Sequence, residues 1–172
     1  QNNISTTGTC FTITARNITL EGNDYTVTGN LAGNGVDFSS AANSIVQNIT
    51  LYQFNNGVNI PGQTNITILN SNISNNNAYG VFIDGGLRST IKNNIINYNG
   101  INGIQSNSVS GTFIINNTIN NNSDIGVYFN SGFAPSSIQN NTINNNANYG
   151  IYFYFDDNSN ITDNILIRNT IG

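Results

Sequence analysis

The chain has 172 residues, of which 39 are Asn and 26 Ile, while charged residues make up only 7% and the formal net charge is −4. Its four basic residues, Arg16, Arg88, Lys92 and Arg168, are too few and too dispersed to neutralise a phosphate backbone, which excludes nucleic acid as an expected partner. No apolar run reaches the length of a membrane-spanning helix, and a chain with one Cys and no His offers no zinc or copper ligand cluster, so neither membrane insertion nor a cofactor is expected.

In chain order, residues 1–9 are polar and lack helical periodicity; they form an N-terminal segment to a single domain whose coils occupy 10–172. The first coil reads as three alternating segments, Cys10-Phe11-Thr12-Ile13-Thr14, Asn17-Ile18-Thr19-Leu20-Glu21 and Tyr25-Thr26-Val27-Thr28, with a Gly-Asn turn between the last two. From there a glycine, a β-branched residue, a variable residue and usually a large apolar one recur. The copies begin at Gly35, Gly57, Gly80, Gly103, Gly126 and Gly150, in steps of 22, 23, 23, 23 and 24 residues. Such a period marks a repeat architecture.

A second beat runs in phase with the first. Ile91, Asn94, Ile96 and Asn99 are followed by Ile114, Asn117, Ile119 and Asn122. The same spacing returns at Ile138, Asn141, Ile143 and Asn146, and at Ile161, Asn164, Leu166 and Asn169. The apolar positions supply an inward stripe, and Asn and Gly tolerate the left-handed dihedrals of the intervening turns. Stacking then brings Asn94, Asn117, Asn141 and Asn164 into one column at about 4.8 Å per coil, where amides donate and accept up and down the column. The predicted fold is all-β: a single-stranded right-handed parallel β-helix of about seven coils of 22–24 residues, near 34 Å long. Its handedness follows from the general preference of parallel crossovers.

The opening coil, Cys10 to Asn23, resembles that of parallel β-helix repeat proteins, a group including pectin-lyase-like folds, periplasmic copper-accessory proteins and many archaeal and bacterial surface proteins. The repeat resembles theirs over nearly the whole chain. The resemblance implies the fold and an extracellular or cell-surface setting, but no single activity, because this scaffold carries enzymes, binding modules and structural proteins alike. The copper role does not carry over to a chain without His.

Catalysis is left open, and the sequence leans against it. Lyase-like relatives imply an arginine base with acidic calcium ligands, and polygalacturonase-like relatives three aspartates with a histidine. The only adjacent acidic pair here is Asp156-Asp157; adjacent strand residues point oppositely, so the two converge only in a turn. They are the only catalytic candidates, with a solvated turn as the plainer reading. Two residues after each glycine lies an outward column, Asp37, Asn59, Phe82, Gln105, Tyr128 and Tyr152, flanked by Tyr79, Tyr149 and Tyr154. Phe82, Tyr128 and Tyr152 form a candidate contact face for sugar or protein, against the alternative that aromatics simply favour strands. Nine N-x-S/T sequons are close to what the composition alone produces; Asn3 and Asn65 are the preferred glycosylation candidates. Cys10 reads either as a small core residue or as a thiol with a partner elsewhere.

Two function classes follow. The first is a secreted, non-enzymatic structural glycoprotein whose copies associate head to tail or by strand pairing into an extracellular filament or surface layer, since neither end of the coil pattern shows a cap. The second is a carbohydrate-binding or carbohydrate-active, pectate-lyase-like β-helix with polysaccharide as partner.

Overall fold

A computed structural model gives the structure of residues 3–130, 132, 135–155 and 158–171. Strand β1 (Ile4–Ser5) is followed by seven coils of three strands each. These are β2–β4 (Phe11–Ile13, Thr19–Glu21, Thr26–Thr28), β5–β7 (Asn34–Phe38, Ile45–Gln47, Thr50–Tyr52) and β8–β10 (Asn56–Pro61, Thr67–Leu69, Asn72–Ser74). Next come β11–β13 (Val81–Asp84, Thr90–Lys92, Ile95–Asn97) and β14–β16 (Ile104–Asn107, Phe113–Ile115, Thr118–Asn120). The last are β17–β19 (Val127–Asn130, Ser137–Gln139, Thr142–Asn144) and β20–β22 (Ile151–Tyr154, Asn160–Thr162, Ile165–Ile167).

Like strands of successive coils pair in parallel and build three sheets. The first sheet runs from β1 through β4 to β22, the second from β2 to β20 and the third from β3 to β21. The ladder starts earlier than the sequence suggests. Ile4 pairs with Val27 and Ser5 with Thr28, inside the segment set apart as polar, because two residues are too few to show an alternation.

Register stacks like on like. Ile73, Ile96, Ile119 and Ile143 form one inward column, and Ile68, Ile91, Ile114 and Ile138 another. All eight are fully buried. A buried Ile contributes roughly 1.5–3 kcal/mol, an upper figure because the unfolded chain is itself partly collapsed. The recurring glycine is a close-approach position. A Cβ on Gly103 would lie 2.6 Å from Ile119 Cγ2 and 2.7 Å from the Gly126 carbonyl oxygen.

The corners between sheets are where backbone amides would be orphaned, and Asn solves this twice. Asn117 Oδ1 accepts both the backbone N–H (2.9 Å) and the Nδ2 (3.1 Å) of Asn94, while Asn94 Nδ2 also donates to the Ile68 carbonyl. Asn117 repeats this on Asn141, and Asn141 on Asn164. A second ladder, Asn76, Asn99, Asn122, Asn146 and Asn169, works in the same way at another corner. Each buried amide is satisfied from both neighbours, so its desolvation is offset. Beside the first ladder, Asn70, Asn93, Asn116 and Asn140 turn the chain with φ between 49° and 57°. At the third corner hydroxyls take over: Ser136 Oγ accepts the Thr112 N–H and Ser159 Oγ that of Ser136. None of the described residues forms a helix long and apolar enough to cross a membrane.

Candidate functional site

The outward column of the second sheet is in register from Asp37 through Asn59, Phe82, Gln105 and Tyr128 to Tyr152. Phe82 to Tyr152 covers three coil steps, about 14 Å. The strip alternates aromatic and amide groups. Tyr79 stacks on Phe82 with centroids 5.1 Å apart; two coils on, Tyr128 and Tyr152 stack at 5.5 Å, and Tyr149 leans on Tyr152 at 4.7 Å. Between the two aromatic groups, Asn102 Nδ2 donates to Gln105 Oε1 and Gln105 Nε2 donates to Asn107 Oδ1, each at 2.6 Å.

Position in this column does not guarantee exposure. Gln105 is only 7% exposed, whereas Phe82, Tyr128 and Tyr152 are half-buried. Gln105 lies between the larger side chains of Phe82 and Tyr128 one coil away on either side, and its amide is spent on Asn102 and Asn107. Burial, and after it the neighbouring phenols of Tyr152 and Tyr154, push the Tyr128 hydroxyl above the usual tyrosine range. The strip thus presents phenol edges, ring faces partly taken by one another, and a rigid amide bridge. That chemistry suits a ligand rich in hydroxyls and C–H faces.

Two acids lie on the same sheet face. Asp37 Oδ2 accepts from Asn34 Nδ2 at 2.7 Å and Asn59 Nδ2 at 2.8 Å, and its Oδ1 accepts from Ser39 Oγ at 3.0 Å. Asp84, at the outward end of β11, is exposed. Asn56 Oδ1 is buried without a partner: in this column the donor runs from each coil to the one before, as Asn56 Nδ2 does to Asn34 Oδ1, and the succeeding Tyr79 carries no side-chain amide to continue it.

The other sequence candidates fall elsewhere. Asp156 and Asp157 lie outside the described residues. Asn3 is exposed and its Oδ1 accepts the Thr26 N–H at 3.0 Å; Asn65 is exposed, has φ 55° and donates to Asn43 Oδ1 at 2.9 Å. Cys10 is a free, half-buried thiol packed against the core, and burial raises its pKa. Among the described residues no group of three His, Cys, Asp or Glu stands ready to hold a metal ion. A recess of about 570 Å³ lies at the first coil and is lined by none of the strip's residues Phe82, Gln105, Tyr128 or Tyr152. It is lined by Ile4, Phe11, Leu20, Tyr25, Val27 and Ile49, several of them inward-facing, so it is the interior of the first coil and not a built site. The second ladder and the Asn102–Gln105–Asn107 bridge were not singled out from sequence, although Asn99, Asn122, Asn146 and Asn169 already kept the beat.

The profile of the family described as right handed beta helix region matches residues 2–171, and the chain belongs to that family. No curated protein sequence matches it significantly. Among solved structures it is similar to the A-modules of two mannuronan C-5 epimerases of Azotobacter vinelandii, AlgE4 (TM-score 0.74) and AlgE6 (TM-score 0.69), each 17% identical. Both alignments cover 96% of this chain and 55% of the other, so the chain spans little more than half the length of either. At that identity the likeness is one of fold.

Proposed function

We propose that this right-handed β-helix is a polysaccharide-binding protein that works outside the cell and holds its ligand along the outward strip of the second sheet. The observation that carries this is the in-register run of Phe82, Gln105, Tyr128 and Tyr152, with Tyr79 and Tyr149 beside it. A linear polymer of repeating sugars meets a linear lattice of repeating side chains, so several weak contacts add along one axis. The mannuronan epimerases that share the fold are carbohydrate-active, which supports the same reading. No reaction is assigned. The test is affinity electrophoresis of the wild-type protein and a Tyr128→Ala, Tyr152→Ala double variant through gels containing polysaccharide. Retardation of the wild type that the variant loses, with its circular dichroism unchanged, supports the reading; equal mobility in every gel contradicts it.

A second reading, end-to-end association into a filament or surface layer, is favoured by the end coils. Strands β1, β2 and β3 are the edges of the three sheets at one end, and β22, β20 and β21 at the other. Ile161, Ile165, Leu166 and Ile167 are 38–55% exposed at the latter end. A second copy would continue all three sheets at once, as would further coils of a longer chain. Sedimentation of the protein over a range of concentrations, with Leu166→Asp as control, tests this: growing assemblies that the variant abolishes support it, and a concentration-independent monomer overturns it.

A further inference from the structure

We infer that the strip selects neutral polysaccharide and discriminates against uronic-acid polymers, an inference that rests on the glycan-binding reading above. The argument is a charge census of one face. The outward positions of the second sheet include the carboxylates Asp37 and Asp84, and none of the chain's four cations.

Each cation has another place. Arg16 and Arg88 lie in corner segments between the second and third sheets, the former between β2 and β3 and the latter between β11 and β12. Arg88 takes φ 59° and its stem approaches Gly111 in the corner of the next coil, 3.7 Å from where a Cβ there would sit. Lys92 is on β12 of the third sheet, and Arg168 follows β22 of the first. A uronate polymer brings one negative charge per sugar. Laid along this strip it would meet Asp84 and Asp37 with no guanidinium or ammonium on the same face to offset them, while the whole chain adds a net charge of −4. The hydrogen-bonding groups are right for hydroxyls: phenols at Tyr128 and Tyr152 and the half-buried amide of Asn107, none of them a charged clamp for a carboxylate.

The test is a panel of paired linear polymers that share a sugar and differ in the C6 carboxylate, such as mannan with mannuronan, glucan with glucuronan, and galactan with galacturonan. Binding is measured at low and high salt. The expected result is that the neutral member of at least one pair binds about tenfold or more tightly than its uronate partner at low salt, the gap narrowing as salt screens the face. Asp84→Lys, a change at an exposed position, is expected to raise uronate affinity at least threefold at low salt, the rise fading at high salt. Tighter binding of the uronate member in every pair that binds overturns this inference and leaves glycan binding standing. Binding by neither member of any pair removes the glycan reading itself. An Asp84→Lys variant with unchanged uronate affinity, and circular dichroism like that of the wild type, overturns the assignment of selectivity to this face.

Discussion

The first two coils and the last four have the same cross-section but hold their corners by different means. The third coil joins them, with Ser71 at one corner and the first ladder residue, Asn76, at the other. Where Asn94, Asn117 and Asn141 stand in the later coils, the earlier ones have Ile49 and Ser71; where Asn99, Asn122 and Asn146 stand, the second coil has Phe54. Ile49 and Phe54 are 4% and 0% exposed, as dry as the Asn residues that replace them. The two regions join through side chain to backbone: Asn76 Oδ1 accepts the Phe54 N–H at 3.0 Å and Asn94 Oδ1 the Ser71 N–H at 2.9 Å. A corner therefore needs two things, a filled volume and an acceptor for its amide. Hydrocarbon supplies only the first, and an amide ladder supplies both. The proposed glycan strip lies mostly on the laddered coils, where the repeated corner holds its outward residues at constant spacing.

The comparison is open to attack from both sides. In the apolar region, Phe54→Ala should cost about 4 kcal/mol, by lost transfer energy and a cavity that the rigid coil cannot close, measured by urea unfolding. In the laddered region, Asn117→Ala should cost about 3 kcal/mol in the same assay. It leaves the Asn94 N–H and Nδ2 without their acceptor and the Ile91 carbonyl without a donor. A loss under about 1 kcal/mol for Asn117→Ala would mean that the ladder is ornament and packing alone holds the corner. Ser71→Asn extends the ladder by one rung and should raise stability by about 1 kcal/mol; a loss would show that the Ile49 corner cannot accommodate an amide.

The smallest expected effects are in pH. Glu21, in the first coil, is held below the usual carboxylate range by the Asn23 N–H first, then by the Gln47 and Asn48 amides. Its contribution is present above about pH 4.3 and is lost as pH falls through its lowered value. Tyr128, in the sixth coil, is shifted upward, so its contribution is complete below about pH 10 and is lost as pH rises through the raised value. Melting temperatures across pH should show Glu21→Gln flattening only the acid limb and Tyr128→Phe only the alkaline limb. A change on the opposite limb would contradict these assignments.

How much was legible in the sequence divides along the same line. The laddered coils announce themselves, since Ile-x-x-Asn recurring with the glycine beat fixes strand, turn and stacking together. The apolar corners do not: Phe54 and Ile49 look like ordinary core, and that they occupy ladder positions emerges only when coils are aligned in space. Gln105 shows the same limit at the candidate site. Its place in the outward column follows from spacing, but its burial comes from Phe82 and Tyr128, residues 23 positions away in each direction. Ile4 and Ser5 were invisible as a strand because the strand they pair with is β4, more than 20 residues later.

The most direct test of the central claim, a glycan strip on the second sheet, is a backbone NMR titration of the labelled protein with fragments of a polysaccharide that retards it. The strip predicts shift changes concentrated at Phe82, Gln105, Tyr128 and Tyr152, with the third sheet and strands β1 and β22 unmoved. Changes confined to the third sheet or to the end strands, with the second sheet silent, would contradict it.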